Sequence, residues 1–408
     1  MNKAQATVRM ESVQTNSVLE ITLRSAAREM LEIALRAEAD AYIRQAQSER
    51  DDRQRQMVVG NGLGQERTVQ TSVGTMNVRQ PRVHDRREGH HFTSAILPPY
   101  VRRTMQIDAM VATLYLHGVS TTRMEEALRS IVGGNFESMS PSVVTKIIER
   151  WQRMYREWSE RKLEKRYVYV WVDGIYAKVR TTNDRPCMLV MIGCDEHGQK
   201  ELLAVVDGER ESELSWTAVL SDLKRRGLTA PRLAIGDGAL GFWAAIDKVF
   251  PATNHQGCTI HALRNALDKV PKKLQEQVKS MLHEVFNAAT KEHALEAFAA
   301  YKTTFTDKFP KAVETIERRL PMLLAFFDFP ATHWKSIRST NVIESTFATI
   351  RRRTRQTNGH ASREAAVAMM FTLAIHAEKT WRKIDGFNHI ANVLDGLTYA
   401  DGVLKMAA

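Results

Sequence analysis

The chain has 408 residues, 43% hydrophobic and 26% charged, which excludes a disordered chain, a collagen or a coiled-coil rod. That length leaves room for roughly two to three domains and a substantial core. Fifty-eight Lys and Arg against 47 Asp and Glu give a formal charge of +11, which favours a polyanionic partner. Three cysteines, Cys187, Cys194 and Cys258, are too sparse for a secreted disulfide framework. No apolar signal core follows Met1, and the longest mostly apolar stretch, 365–377, is too short to span a bilayer. The expectation is a cytoplasmic protein with no membrane partner.

Residues 18–49 predict one long helix, since apolar residues recur and neither Gly nor Pro interrupts. Residues 51–65, with glycines at 60, 62 and 64, predict a loop; no Lys-Ser/Thr follows to make a phosphate cradle. ERTVQTSVGTMNVRQPRV alternates around Gly74 like a small hairpin. From 79 to 103 the chain reads as a basic linker: Arg79, Arg82, Arg86, Arg87, Arg102 and Arg103 stand against Asp85 and Glu88. Such a run is either a solvated surface or a phosphate-contacting strip. Residues 106–157 predict three helices, one ending at Gly118, one from Thr121 to Gly133-Gly134, and one opened by Ser140-Pro141. This spacing suits a helix-turn-helix reader with Ser142, Thr145 and Lys146 at the start of the groove-facing helix, and equally a plain three-helix packing unit.

From 167 the pattern changes. YVYVWVDG, PCMLVMIGCDEHGQ and KELLAVVDGE predict three strands, the last two joined at Asp195-Glu196-His197-Gly198. A helix over ESELSWTAVLSDLKRRG, a strand over PRLAIGDG, a helix over ALGFWAAIDKVF, a strand over NHQGCTI and a helix over HALRNALDKV follow. Three adjacent strands and then alternation predict a mixed sheet flanked by helices. Residues 271–330 predict helices only, and a further helix runs from Ser362 to about Trp381. Trp171, Trp216 and Trp243 fall within strand or helix patterns and read as core; Trp334 could pack in the core or stack on a base. His90-His91 reads as surface loop.

Asp173 ends the first predicted strand of the sheet and Asp237 the fourth, each followed by Gly. Ligands sit at strand ends in open α/β sheets, and two carboxylates aimed at one spot suit Mg²⁺ or Mn²⁺. Either aspartate alone is a common turn residue. A third carboxylate, Glu344, lies beside the apolar stripe of Ile343, Phe347 and Ile350, on a face shared with Asn341 and Ala348. Lys335, Arg338, Arg351, Arg352, Arg353 and Arg355 flank it, a strip able to hold phosphates. Cys258 and His261 form a Cys-x₂-His pair, but Cys187, Cys194, His197 and His255 offer no convincing second pair for a four-ligand zinc site.

These segments resemble the DDE transposases of the Mutator family, in its bacterial insertion-sequence branch. The resemblance rests on VDGIYAKVR around Asp173, AIGDGALGFWAAIDKVFP around Asp237, CTIH at 258–261, RSTNVIESTFATIRRRTR around Glu344, and LYLHGVSTTRMEEAL and SPSVVTKI upstream. It covers about 60–385, and the order and spacing of the acids carry its specificity. It implies an α+β architecture: an RNase H-like mixed-sheet catalytic core (βββαβαβ-α), an all-α insertion between Asp237 and Glu344, and an N-terminal helical DNA-binding region. The implied divisions are 1–95, helical and hairpin with the basic linker; 96–165, helix-turn-helix-like; 166–270, first part of the core; 271–330, insertion; and 331–408, second part of the core. It implies that Asp173, Asp237 and Glu344 are the catalytic triad and hold two Mg²⁺ ions, with Mn²⁺ as substitute. Cys258, His261 and Asn341 would support the site.

The implied reaction is metal-dependent cleavage at insertion-sequence ends, then transfer of the freed 3′-OH into target DNA. The implied partners are terminal inverted repeats, target DNA and a second copy of the chain on DNA, in a bacterial, nucleoid-associated setting. Candidate DNA contacts are Arg338, Arg351, Arg352, Arg353, Arg355, Ser142, Thr145, Lys146, Arg102 and Arg103. Two alternatives stand beside it: an RNase H-like nuclease or resolvase that cuts without joining, and a non-catalytic DNA-binding regulator.

Overall fold

The computed structural model describes residues 18–132, 142–179, 185–208, 210–238, 240–356 and 359–405. The expected helix stop at Gly133-Gly134 and cap at Ser140-Pro141 lie outside them. The chain forms two compact units, Met1–Ile147 and Ile148–Ala408.

In the first unit, helix α1 (Val18–Gln45) packs on a hairpin of β1 (Val58–Thr71) and β2 (Gly74–Asp85). The hairpin is longer than its sequence suggests. The glycine-bearing segment 58–65, expected as loop, is strand, and so is the start of the expected linker, up to Asp85. The pairing tolerates the glycines through register shifts at Gly60/Leu63 and Leu63/Glu66, where bulges absorb the irregular backbone. Leu35, Val69, Val78 and Leu97 form the small core. Polar ties close the loop after β2: Glu38 accepts from Ser94 Oγ and from the Ala95 N–H at 2.7 Å. Arg67 donates to the carbonyls of Pro98 at 3.1 Å and Val101 at 2.9 Å. Helices α2 (Met105–Leu116) and α3 (Thr121–Val132) complete the unit.

Helix α4 (Ser142–Glu160) begins in the first unit and ends in the second. The stretch 96–165 is therefore shared between them. The later part of α4 is held by the second unit: Tyr155 donates to Val205 O at 2.8 Å, and Trp158 lies 4.9 Å from the Phe371 ring.

The second unit is built on β3 (Tyr167–Tyr176), β4 (Cys187–Asp195) and β5 (Lys200–Asp207), then α5 (Glu213–Arg225), β6 (Leu233–Gly236), α6 (Leu240–Val249), β7 (Asn254–Gly257) and α7 (Thr259–Leu267). The strands make one sheet in the order β5-β4-β3-β6-β7; β3, β4 and β5 pair antiparallel, β3 with β6 and β6 with β7 parallel. The expected mixed sheet is present. A helical block follows: α8 (Lys272–Asn287), α9 (Lys291–Phe305), α10 (Pro310–Glu317) and α11 (Leu320–Leu323). Then come α12 (Trp334–Ile337), α13 (Asn341–Gln356), α14 (Arg363–Glu378), α15 (Ile390–Leu394) and a short pair, β8 (Tyr399–Ala400) and β9 (Val403–Leu404).

The core explains the layering. Val170, Val172, Leu189 and Ala234 face Trp216, Leu220, Phe242 and Ile246 of α5 and α6. On the opposite face Tyr169 packs edge-on to Phe329 at 5.7 Å, and its hydroxyl bonds His333 Nδ1 at 2.7 Å. Trp171 Nε1 donates to Ser336 O at 3.0 Å. Successive residues of a strand alternate faces, so Asp173 shares the face of Tyr169 and Trp171, toward the segment that carries Glu344. Trp171, Trp216 and Trp243 are buried, as their patterns suggest. Trp334 is also a packing residue: it donates to Phe329 O at 2.9 Å and meets the rings of Phe326 and Phe327. His90 and His91 are exposed, and all three cysteines are buried and free. Among the described residues no helix is long and apolar enough to cross a membrane.

Candidate active site

Parallel pairing aligns the first two acids. Tyr169, Val170 and Trp171 of β3 stand opposite Leu233, Ala234 and Ile235 of β6. Continued by two residues, that register sets Asp173 beside Asp237. Asp237 follows β6, as expected, whereas Asp173 does not end its strand: β3 pairs with β4 through Tyr176 and Cys187. The reason is tertiary. β4 supplies an antiparallel partner past the point where β6 has stopped, so β3 continues through Gly174.

The third acid arrives on α13. Ile343, Phe347 and Ile350 bury its apolar stripe, which leaves Glu344 partly exposed in the first turn. His261, on α7, links the acids: its Nδ1 is 3.9 Å from Asp237 Oδ2 and its Nε2 is 3.6 Å from Glu344 Oε1. Thr340, fully buried, ties the same groups from the other side. Its hydroxyl lies 3.2 Å from Glu344 Oε1, 3.3 Å from His261 Nδ1 and 3.3 Å from Cys258 Sγ, and its N–H donates to that sulfur at 3.4 Å. Asn341 opens α13 and is exposed.

The electrostatics follow from crowding. Burial pushes the Asp173 carboxyl up to about 7; the Gly174 N–H and His261 oppose this, and the charges of Glu211 and Asp237 add to it. His261 is pushed up to about 9, chiefly by its hydrogen bond to Cys258, with burial opposing and Asp237 and Glu344 contributing. Burial pushes the Cys258 thiol up, but hydrogen bonds from His261 and Thr340 outweigh it and the net shift is downward. Asp237 and Glu344 keep 37% and 24% of their side-chain surface, so solvent and ligands reach both. Three carboxylates at one sheet end, with the ionisation of Asp173 opposed by burial, fit a divalent cation. Cys187, Cys194, His197 and His255 do not join Cys258; among the described residues its converging partners are His261 and Glu344, with ligand atoms within 4.8 Å of one another.

Two residues of the site carry no local signal in the sequence. Glu211, just before α5, lies against Gly174, where any β-carbon would collide with its Oε1. Burial raises its pKa, Cys187 donates to it at 3.5 Å, and Asp237 and His261 feel its charge. Arg319, between α10 and α11, reaches the Asp237-Gly238 turn: a β-carbon on Gly238 would lie 2.6 Å from its Nη1. Both come from segments whose chain position says nothing of the sheet end they meet.

The expected DNA-contacting residues divide. Arg351, Arg352 and Arg355 are exposed along α13. Arg353, expected on the same strip, is 3% exposed, because it falls on the buried face with Thr346 and Ile350. Arg338 is committed to the helical block, donating to Asn287 Oδ1 at 2.8 Å and Phe286 O at 3.2 Å. In the first unit Ser142, Thr145, Lys146 and Arg102 are exposed, whereas Arg103 pairs with Asp108. The expected linker is largely neutralised: Arg87 pairs with Asp85 and Glu49, Arg86 with Asp51 and Arg79 with Glu66.

A family model described as Transposase, Mutator family, matches residues 1–384. The chain belongs to the Mutator family of transposases. It is similar to the transposase for insertion sequence element IS6120 of Mycolicibacterium smegmatis, 44% identical over 292 residues, which cover 71% of this chain and 90% of that one. The transposase for insertion sequence element IST2 of Acidithiobacillus ferrooxidans is 40% identical over 282 residues, 69% of this chain and 95% of the other. The transposase for insertion sequence element ISRM5 of Rhizobium meliloti (strain 1021) matches more of the chain, 29% identical over 389 residues, 95% of this chain and 94% of the other. The Mutator-family resemblance of the acidic segments therefore extends across nearly the whole protein.

Proposed function

We propose that this Mutator-family chain is a DNA transposase that cleaves at the ends of its insertion sequence and joins the freed 3′-OH to target DNA. The observation that carries the reading is the placement of Asp173 beside Asp237 by the β3–β6 register, at a sheet end where His261 links Asp237 to Glu344. The strand order β5-β4-β3-β6-β7, with three antiparallel strands followed by two parallel ones, supports an RNase H-like core. Asp173, Asp237 and Glu344 would hold two Mg²⁺ or Mn²⁺ ions, which supply nucleophile activation and charge neutralisation at phosphorus.

The residues themselves divide the remaining work. Protonated His261 orients the Asp237 and Glu344 carboxylates from between them, and Thr340 fixes His261 and Glu344 from within the core. Arg351, Arg352 and Arg355 offer the DNA backbone a basic edge on the helix that carries Glu344. In the first step water attacks the phosphorus at the element end, and the P–O3′ bond breaks to leave a 3′-OH. In the second step that 3′-OH attacks a target phosphodiester in line, one P–O bond forming as another breaks. Exposed Ser142, Thr145 and Lys146 at the start of α4 suit a helix-turn-helix reader of the terminal repeat, and joining two ends calls for a homodimer on DNA, in the nucleoid of a bacterial cytoplasm.

The test is cleavage of a labelled duplex carrying the terminal repeat that flanks the gene, in Mg²⁺, Mn²⁺ or EDTA, with wild type beside Asp237→Asn. The expected result is metal-dependent nicking at the repeat boundary that the variant loses, and joining of a precut end by wild type. Nicking without joining would make the protein a nuclease; repeat binding with no cleavage in any metal would make it a regulator.

A further inference from the structure

The Arg319 guanidinium has an unusual setting. It lies over the C-terminal ends of β6 and β7: a β-carbon on Gly238 would be 2.6 Å from Nη1, and one on Gly257 would be 3.5 Å from Nη2. Those strand ends lead into Asp237 and Cys258. Nη2 is buried without a hydrogen-bond partner, and among the described residues no carboxylate lies within ion-pairing distance of the group. Burial lowers its pKa, and the charges of Asp237 and Cys258 work against that. Arg226 is a useful contrast. It is also buried and its Nη2 is likewise without a partner, but its Nε donates to Arg161 O at 2.9 Å and its Nη1 pairs with Asp222 at 3.4 Å, so its charge is matched within the protein. Holding a charged fork of donors half-buried without an ion pair costs stability, a cost that an anion brought to the site would relieve.

We propose that Arg319 is a substrate-contacting residue that grips a non-bridging oxygen of a DNA phosphate at or next to the scissile bond. The inference rests on the transposase reading and adds to it a group from the helical block. The chemistry fits the position. The carboxylates at this sheet end repel a phosphodiester, and a guanidinium beside Asp237 offsets that repulsion and, once turned outward, offers N–H donors to the phosphate. Charge that builds on the phosphoryl oxygens in the transition state is stabilised by the same donors.

The experiment is a cycle between residue and phosphate in the full-length protein. Binding of the terminal-repeat duplex is measured in Ca²⁺, with a neutral methylphosphonate placed in turn at the scissile phosphate and at each neighbour. Wild type, Arg319→Ala and Arg319→Lys are compared. At one position the methylphosphonate should weaken wild-type binding about tenfold or more, Arg319→Ala should lose about as much on unmodified DNA, and the two together should cost no more than either alone. Arg319→Lys, which keeps the charge but not the fork, should fall between and should cleave more slowly in Mg²⁺. Losses that simply add at every position, or undiminished binding by Arg319→Ala, overturn the proposal. Should the alanine variant not fold, the lysine variant with the same modified duplexes decides by the same criterion. Wild type that neither binds nor cuts its repeat refutes the transposase reading itself; wild type that cuts beside Arg319 variants that cut equally well refutes only the role of Arg319.

Discussion

Replacing Asp173 with Asn should stabilise the metal-free protein, and more so as pH rises. Burial holds the Asp173 carboxyl at about 7, against 3.8 for an unburied aspartate. A group raised in the folded state contributes its full stability below its unfolded pKa and loses it as pH rises through the folded one, so ionised Asp173 weakens the fold above neutrality. The gap of about three between the two values is worth at most roughly 4 kcal/mol, reached above pH 8. At pH 5 linkage leaves under about 2 kcal/mol, so the advantage of the variant should grow by about 2 to 3 kcal/mol between pH 5 and pH 8.5. In a unit of this size that is roughly 5–10 °C in melting temperature. Asparagine is nearly isosteric and keeps an oxygen for the Gly174 N–H, so packing changes little. All seven tryptophans lie between Trp151 and Trp381, so intrinsic fluorescence follows the second unit alone. Melts would be run in EDTA at both pH values and repeated in millimolar Mg²⁺, where wild type should regain stability and the variant should not. A variant no more stable than wild type at pH 8.5 without metal, or an advantage independent of pH, refutes the reasoning.

Gly227→Ala should destabilise the second unit by about 2 kcal/mol or more in a denaturant titration. Its φ is +115°, and a β-carbon there would stand 2.6 Å from the carbonyl oxygen of Leu163, a backbone atom with little freedom to yield. Thr340→Val should cost about 1–3 kcal/mol, since it strips a shared donor from Cys258, His261 and Glu344, and should slow DNA cleavage. Thr340→Ser should retain both properties; cleavage by Thr340→Val at the wild-type rate would show that the hydroxyl does not set Glu344.

Local pattern reached far into this protein. Strand alternation, capping residues and apolar periodicity are short-range properties, so the helices and strands of the second unit were legible, as was the buried stripe of α13. Asp237 after a strand and Glu344 in a first helical turn could be marked as candidates for the same reason, and Asp173 by its matching neighbours in sequence. Where pairing partners decide, local pattern failed. The glycine-bearing segment 58–65 became strand because β2 was there to receive it, and Asp173 lies within a strand because β4 outlasts β6. Charge was equally deceptive, since acids distant in sequence neutralise most of the basic linker and packing withdraws Arg338 and Arg353.

By itself, then, the sequence determined most of the succession of elements, which depends on residues within a few positions of one another, together with the basic excess and three candidate acids marked by their order and spacing. Only the tertiary structure decided which groups surround those acids. Glu211, His261, Arg319 and Thr340 come from four separate segments, and they meet Asp173, Asp237 and Glu344 because parallel pairing of β3 and β6 opens one sheet end to all of them. Proximity there arises from chain crossings tens of residues apart, and no local pattern of side chains encodes it.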